Sequence, residues 1–331
     1  MPLWPVEPGR YRLVAARACP WANRSIIVRR LLGLEDVISL GTPGPVHDKR
    51  SWAFNLDPDG RDPVLGIERL QEAYLERYPD YPRGITVPAI VDIPTGQVVT
   101  NDFPWITHDL FFEWQEFHAD GAPDLWPAHL REEMDTVMER IFVEVNNGVY
   151  RCGFAGSQEA YDAAYTRLWD AMDWLEERLA DRRYLMGDTL TEADIRLYTT
   201  LARFDAVYHG HFKCNRNKLT EMPVLWAYAR DLYQTPGFGE NTDFDQIKRT
   251  TTSCTTTSTR PGSSRRVRTP RSGSSLTGAA DPATNATVHR VTSVRCGCGV
   301  RAKLGTTRLW ARSHAPHHPR GGVDCQECGV R

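Results

Sequence analysis

Cys19 is the residue whose type and setting point most directly to chemistry. It follows a run typical of a strand (residues 10–16) and precedes a run typical of a helix, with Pro20 suited to the first helical position. A thiol at a helix N-terminus lies near free amides and the positive end of the helix dipole, which favour the thiolate. We therefore expect a reactive Cys19, and a buried, inert cysteine is the alternative.

The residues after Cys19 limit what such a thiol does. Cys19-Pro20-Trp21-Ala22 has the form of a redox Cys-x-x-Cys motif with alanine in place of the second cysteine. Because no resolving thiol lies beside it, a mixed disulfide at Cys19 is expected to persist until a small external thiol removes it.

Composition divides the 331 residues at position 250. Residues 250–331 contain no Ile, Phe or Tyr, and they hold 13 of the 40 basic residues but only 3 of the 42 acidic ones. The net charge is therefore −12 before residue 250 and +10 after it. The sequence therefore predicts an acidic globular body followed by a basic tail. The tail has too few apolar residues to offset the entropy cost of ordering it, so it is predicted to be disordered.

The sequence predicts a cytoplasmic protein that does not bind membranes. No apolar run reaches the length of a membrane span, and the N-terminus lacks an apolar signal core. The body has only Cys19, Cys152 and Cys214, which is too few for a disulfide framework.

The predicted elements form a small α/β unit followed by helices. Strands are expected at residues 10–16, 37–40, 88–92 and 97–100, and helices at 20–33, 67–77 and 103–116. Beyond residue 126 the pattern is helical, with an apolar stripe at Leu168, Met172, Leu175 and Leu179 and a capping-box start at Thr191 and Asp194. We interpret this apolar stripe as the face of the helix that packs in the hydrophobic core.

Val87-Pro88 carries a geometric prediction. An X-Pro bond just before a strand, in a chain with a thiol at a helix N-terminus, favours the cis form. A cis bond would expose the backbone N–H and C=O of Val87 to an extended peptide lying beside the Cys-Pro turn. A trans proline that starts an edge strand is the alternative.

Several motifs together resemble a known family. They are Cys19-Pro20-Trp21-Ala22-Asn23-Arg24, Trp52, Thr86-Val87-Pro88, Asn101-Asp102, Asn147 to Arg151, Leu190 to Leu197, Arg203 to Tyr208 and His211-Phe212-Lys213-Cys214. In order and spacing they are similar to the xi-class glutathione transferases, the glutathionyl-hydroquinone reductases, over residues 4–249. The resemblance implies a thioredoxin-like α/β domain (1–117), an all-α domain (118–249) and a homodimer, with residues 250–331 as a tail.

The resemblance also implies roles for residues and a co-substrate. Cys19 and Tyr150 would be catalytic, with the tyrosine helping to bind the quinol ring or to polarise its oxygen. Glutathione would be the co-substrate, without a metal, and small quinol–thiol conjugates would be the substrates. The thiol cofactor would be bound by Pro20, Trp21, Trp52, Val87, Pro88, Asn101, Asp102 and Phe103.

Two departures from the family pattern affect these expectations. The family often has Glu-Ser where this chain has Asp102-Phe103, so another thiol such as mycothiol stays open as the co-substrate. The family also usually carries more sequence before the segment that matches Trp4, so a misassigned or truncated start is expected.

The tail is interpreted as a reading-frame change near residue 250. Regrouping the codons of Thr250 to Arg265 by one base permits His-Tyr-Tyr followed by a run that resembles the family's continuation. The second active-site tyrosine of the family lies in that segment. The alternative is a genuine appendage, with a zinc site at Cys296, Cys298, Cys325 and Cys328 or loose binding to nucleic acid. We expect neither, because the regrouping accounts for the composition.

Three functions stay open from sequence. The first is reduction of glutathionyl-hydroquinones through a mixed disulfide at Cys19. The second is an omega-like thiol transferase or dehydroascorbate reductase that uses the same cysteine. The third is a thioredoxin-fold binding protein without catalysis.

Overall fold

The first unit of the fold is a four-stranded mixed sheet. The computed structural model describes residues 4–48, 50–257 and 309–310. The sheet order is β3-β2-β4-β5, with β2 parallel to β3 and antiparallel to β4, and β4 antiparallel to β5. The strands are β2 (Tyr11–Val14), β3 (Ile38–Gly41), β4 (Ala89–Asp92) and β5 (Gln97–Thr100), while β1 (Trp4–Pro5) pairs with β6 (Leu309–Trp310).

Three helices accompany the sheet, namely α1 (Pro20–Leu31), α2 (Leu70–Arg77) and α3 (Phe103–Phe112). Residues 20–29 of α1 are all buried, because this helix lies between the sheet, α3 and the second unit of the fold. Its buried residues include the polar Asn23, Arg24, Ser25 and Arg29, so they need hydrogen-bond partners inside the protein. Its N-terminus, which carries Cys19, is held inside the protein.

The hairpin after residue 88 has the predicted form. Gly96 has φ = +68° in the turn between β4 and β5, a conformation that glycine adopts without steric cost. The side chain of Asp92 fixes this end of the sheet by accepting hydrogen bonds from Arg10 Nε (2.6 Å) and Thr95 Oγ1 (2.6 Å).

The second unit is helical throughout. Its helices are α4 (Arg131–Arg140), α5 (Gly148–Gly153), α6 (Gln158–Arg178), α7 (Glu192–Arg203), α8 (His209–His211), α9 (Pro223–Gln234) and α10 (Phe244–Thr257). Two π-helical segments interrupt the regular helices, at Ile141–Asn146 before α5 and at Phe204–Tyr208 after α7. The predicted stripe on α6 lies in the core, with Leu168, Met172 and Leu175 fully buried.

The capping box predicted at Thr191 is present and forms part of a larger buried network. Asp194 accepts hydrogen bonds from the Thr191 backbone N–H (2.8 Å) and hydroxyl (2.9 Å), the Leu185 N–H (2.8 Å) and the Tyr228 hydroxyl (2.8 Å). One carboxylate therefore fixes the start of α7 against the preceding loop and α9.

Element boundaries differ from the expectations by three residues or more in three places. Helix α2 begins at Leu70 rather than Ile67, because Glu72 Oε1 accepts from the backbone N–H groups of Glu68 and Arg69 (2.9 Å each) and so closes the helix start there. Helix α3 ends at Phe112, and a separate 3₁₀ turn follows at Gln115–Phe117.

The third difference concerns the tail. Helix α10 continues past the predicted boundary at residue 250 to Thr257, and Leu309–Trp310 form β6. The rest of the predicted disordered segment, with the candidate zinc ligands, lies outside the described residues. The division into domains at residue 117 stays a prediction, although only helices follow the turn at Gln115–Phe117 until residue 257.

The two units meet along α1 and α7. Arg24 Nη2 donates to Asn146 Oδ1 (2.7 Å), and Asn146 in turn donates to Thr200 Oγ1 (2.7 Å). Across the same boundary Thr107 Oγ1 donates to Glu192 Oε1 (2.8 Å). These bonds are buried, so their loss would leave unsatisfied polar groups on both sides.

We expect Asp194→Ala to lower the free energy of unfolding by about 3 kcal/mol, because four buried donors lose their acceptor. Chemical denaturation followed by circular dichroism measures the change. Glu159→Ala, at an exposed position in the first turn of α6, is the matched control and is expected to change stability by less than about 0.5 kcal/mol. Equal stability of the Asp194 variant and the wild type would contradict the assignment of this network.

Candidate active site

Cys19 lies at the position predicted for it, as the N-cap residue of α1. It has extended backbone angles (φ −75°, ψ 121°), and its carbonyl accepts the first helical hydrogen bond from Asn23 N (3.0 Å). Its Sγ is 3.8 Å from the carbonyl oxygen of Val87, and only 6% of the residue is exposed. The thiol therefore lies at the junction of α1 with the turn before β4.

The ionisation of Cys19 is controlled by opposing influences. Burial raises the pKa of the thiol above its ordinary value. The backbone N–H groups of Ala22 and Trp21 lower the pKa, as do the positive charges of Arg203 and Arg24. The helix N-terminus thus acts in the predicted direction, but burial is the larger influence, so the pKa of Cys19 is raised rather than lowered.

A small cavity opens beside the sulfur. Its walls come from the start of α1, from Trp52, and from the helical unit. No carboxylate lines it among the described residues, and the lining is largely aromatic. The lining residues are Ala18, Cys19, Pro20, Trp21, Trp52, Tyr150, Arg203, Tyr208, Phe212 and Thr250.

Two tyrosines lie side by side in the wall of this cavity. The hydroxyls of Tyr150 and Tyr208 are 3.4 Å apart, and both residues are buried. Of these two tyrosines, only Tyr150 has a role predicted from the sequence. Each tyrosine lies in or just after a π-helical segment, which shifts side-chain positions relative to a regular helix and is frequent at functional sites. Because a π-helical segment leaves little trace in residue type, the pairing of Tyr208 with Tyr150 was not visible from sequence.

Trp52 is 2% exposed and lies in the irregular segment between β3 and α2. Its carbonyl accepts from Leu70 N (3.0 Å), which ties it to the start of α2. The ring of His47 packs against its indole at 4.8 Å between centroids. The structure therefore brings Trp52 to the cavity although 33 residues separate it from Cys19.

The peptide bond between Val87 and Pro88 is cis, as predicted. The turn before it is held by Thr86, whose carbonyl accepts from Tyr74 Oη (2.9 Å) and whose hydroxyl accepts from Asn101 Nδ2 (2.8 Å). Asn101 Oδ1 is buried and has no hydrogen-bond partner in the described part of the chain. A polar atom of this kind is available to a ligand.

Asp102 and Phe103 lie at the start of α3, where the sequence placed them. Asp102 is the N-cap residue, but its side chain makes no capping hydrogen bond. The ring of Phe103 packs on Trp21 (4.8 Å between centroids) and lies 5.9 Å from Cζ of Arg24. The other predicted site residues do not line the cavity, namely Val87, Pro88, Asn101, Asp102 and Phe103.

Within the described residues, no group of three or more His, Cys, Asp or Glu side chains is arranged to hold a metal ion. None of the helices in this part of the chain is long and apolar enough to cross a bilayer.

Comparison with family models identifies both units. The model for the glutathione S-transferase N-terminal domain matches residues 18–110, and the model for the C-terminal domain matches residues 158–231. Glutathionyl-hydroquinone reductase PcpF of Sphingobium chlorophenolicum is 43% identical over 66% of this chain and 70% of its own length. Glutathione S-transferase omega-like 2 of Schizosaccharomyces pombe is 38% identical over 73% of this chain and 80% of its own.

Solved structures agree with this assignment. A glutathione transferase from Gordonia bronchialis has 72% identity and a TM-score of 0.74, covering 75% of this chain and 77% of its own. The xi-class glutathione transferase from Natrialba magadii has 42% identity and a TM-score of 0.71, and the match covers 74% of this chain and 76% of its own. The glutathione-bound structure of YqjG from Escherichia coli has 39% identity and a TM-score of 0.70, and the match covers 74% of this chain and 80% of its own.

The fold and these matches define a protein with the N- and C-terminal domains of a glutathione transferase. The chain belongs to the glutathione transferase family, in the branch that contains the xi class and the glutathionyl-hydroquinone reductases.

The pKa raised by burial predicts how Cys19 reacts with iodoacetamide. Only the thiolate is alkylated, so the rate is expected to be low at pH 7 and to keep rising beyond about pH 8.5, where an ordinary thiol is half ionised. Mass spectrometry of the tryptic peptide of residues 18–24 measures this, because Cys19 is its only cysteine. A rate that has already levelled off by pH 7 would show that the thiol is ionised and would contradict the dominance of burial.

Proposed function

We propose that this protein reduces glutathionyl-hydroquinones through a mixed disulfide at Cys19. The observation that carries the proposal is a single thiol at the N-terminus of α1 that opens into an aromatic cavity with two paired tyrosines. The similarity to glutathionyl-hydroquinone reductases supports it.

The proposed reaction has two steps. The Cys19 thiolate attacks the glutathionyl sulfur of the conjugate, the bond from that sulfur to the ring carbon breaks, and the carbon takes up a proton to give the hydroquinone. A second glutathione thiolate then attacks the mixed disulfide, which releases glutathione disulfide and restores the Cys19 thiolate. A small thiolate fraction is sufficient, since cysteine is intrinsically strongly nucleophilic.

Other residues of the site have proposed roles in binding. Tyr150, with Tyr208 beside it, would hold the quinol oxygen through its hydroxyl. Trp52, Pro20 and Trp21 would pack against the thiol cofactor, and the backbone of Val87 would pair with its peptide. The exposed N-terminus of a helix is suited to a carboxylate, so Asn101 and Asp102 would border the γ-glutamyl end.

The lack of a neighbouring thiol supports release by an external one. Ala22 occupies the position of a resolving cysteine, and Cys152 and Cys214 interact with each other rather than with Cys19. The homodimer and the cytoplasmic location inferred from sequence stay predictions.

The first test follows release of hydroquinone from 2-glutathionyl-hydroquinone in the presence of glutathione. The wild type is expected to form hydroquinone and glutathione disulfide in equal amounts, and Cys19→Ser to lose at least about a thousandfold in rate, because the hydroxyl is a far weaker nucleophile. Chromatography with absorbance detection measures both products. Cys152→Ser makes the same change at a buried cysteine outside the cavity and is expected to retain activity.

The same assay separates the other candidates. The match to an omega-like transferase favours one alternative, in which dehydroascorbate or a mixed disulfide is the substrate. Turnover of dehydroascorbate without release of hydroquinone would select it. Binding of glutathione without turnover of either substrate would select the non-catalytic protein. Full hydroquinone release by Cys19→Ser would overturn the role given to Cys19.

The identity of the thiol is expected to depend on Asp102 and Phe103. The family often has Glu-Ser here, whereas in this chain the Phe103 ring packs on Trp21 and offers no hydroxyl to a ligand. We expect Asp102→Glu/Phe103→Ser to lower the ratio of KM for glutathione to KM for mycothiol about tenfold. This corresponds to about 1.4 kcal/mol of binding free energy in favour of glutathione. Steady-state kinetics with both thiols measure the ratio.

Asp109→Glu/Phe112→Ser is the matched control for this test, because it makes the same two chemical changes further along α3. The ratio of KM for glutathione to KM for mycothiol in this control variant is expected to equal that of the wild type. A wild type that already prefers glutathione, with no change in the double variant, would exclude selection of the thiol by these two residues.

A further inference from the structure

Arg203 is a buried arginine from the helical unit that reaches the turn before the active-site thiol. It is the last residue of α7 and is 1% exposed. Its Nε donates to the carbonyl of Ala18 (3.1 Å) and its Nη2 to the carbonyl of Arg17 (3.0 Å). Both acceptors immediately precede Cys19, so a side chain of the second unit fixes the backbone that leads into α1.

The other contacts of Arg203 anchor its guanidinium. Nη1 donates to the carbonyl of Thr199 (2.7 Å), one turn earlier on α7, and to Asn23 Oδ1 (3.3 Å) on α1. Asn23 Nδ2 donates in turn to the carbonyl of Asn241 (2.9 Å). Four of the five N–H groups of the guanidinium thus have protein acceptors, all of them neutral.

The charge of Arg203 has no carboxylate partner. It makes no ion pair within the described residues, yet it lines the cavity that contains the thiol. A buried positive charge without a counter-charge is costly, and a nearby anion offsets that cost. Among the residues lining the cavity, the side chains that can become anions are the thiol of Cys19 and the hydroxyls of Tyr150 and Tyr208.

Arg24 is a second buried cation near the thiol. Its Cζ lies 4.6 Å from the centroid of the Trp21 ring, and its Nε has no hydrogen-bond partner in the described structure. Burial lowers the pKa of Arg24 to about 9, which leaves it charged at neutral pH. Its nearest ionic neighbours, Glu192 and Arg196, pair with each other (3.0 Å) and act on it in opposite directions.

We propose that Arg203 is a positioning residue for Cys19 and the principal counter-charge of its thiolate, so that the helical domain sets the reactivity of the thiol carried by the thioredoxin-like domain. The inference rests on the proposed role of Cys19 as the nucleophile. It assigns Arg24 a weaker contribution of the same sign.

The experiment compares the pH dependence of Cys19 alkylation in variants that differ in charge. Arg203→Gln removes the charge and keeps a hydrogen-bonding side chain. Its apparent pKa for alkylation is expected to rise by about one unit, so the rate at pH 7 falls roughly tenfold while the rate at high pH is kept. Arg203→Lys keeps the charge and is expected to show a smaller rise. Arg24→Gln is expected to shift the pKa upward by less than Arg203→Gln.

Arg29→Gln is the matched control. Arg29 is also buried in α1 and also donates to backbone carbonyls, those of Ile38 (2.5 Å) and Glu35 (2.9 Å). It lies ten residues after Cys19, about 15 Å along the helix at 1.5 Å per residue. Arg29→Gln also removes a buried guanidinium from backbone acceptors but is expected to leave the alkylation pKa unchanged.

The readout needs neither a quinol nor turnover, so it is independent of the proposed function. An unshifted Cys19 in Arg203→Gln, or equal shifts in the Gln and Lys variants, would overturn the proposal. If Arg203→Gln does not fold by circular dichroism, Arg203→Lys decides. If the apparent pKa for alkylation then rises by less than about half a unit, the result supports the counter-charge, and any larger rise contradicts it. Loss of hydroquinone release in Cys19→Ser is measured separately and bears only on the nucleophile.

Discussion

The structure depends on the enclosure of one sulfur atom at the start of a buried helix. The amides of Trp21 and Ala22 point toward Cys19 and favour its ionised form, while burial of the thiol between two domains favours the neutral form. Because both effects arise from the same placement, the thiol cannot be fully enclosed and strongly ionised at once. Positive charge from arginine side chains is the remaining way to stabilise the thiolate, and Arg203 of α7 and Arg24 of α1 supply it.

This constraint explains why the site needs both domains. The sheet domain provides the helix N-terminus and the cis Val87-Pro88 turn, whose carbonyl lies 3.8 Å from the sulfur. The helical domain closes the other side with Tyr150 and Tyr208, each placed by a π-helical segment. A thioredoxin-like domain without this cover would leave the thiol open to water and would have no aromatic wall for a ring-shaped substrate.

The end of the described helical domain also reaches the site. Thr250, near the middle of α10, lines the cavity, and its hydroxyl donates to the carbonyl of Pro45. Residue 250 is where the composition changes, and the predicted reading-frame change would replace the residues from here on. The wall that α10 contributes is therefore the part of the site most altered if that interpretation is correct.

Much of the site followed from the sequence, because local motifs carry their own geometry. A cysteine and a proline between a strand and a helix place the thiol at the N-cap, and the X-Pro bond before β4 is cis as predicted. The capping box at Thr191 and the stripe on α6 were predictable for the same reason, since they depend on residues within one or a few turns. The start of α2 was misplaced by three residues because the side chain of Glu72 closes that helix at Arg69.

The sequence by itself determined where the thiol lies, the order of the elements and the family. Only the tertiary structure decided the electrostatic state of Cys19 and the composition of the cavity. Burial of the thiol depends on residues from both domains. The pairing of Tyr150 with Tyr208 joins residues 58 positions apart, and the hydrogen bond from Arg203 to Arg17 joins residues 186 positions apart. Such effects depend on how two domains pack, and no spacing within a short segment of the chain encodes them.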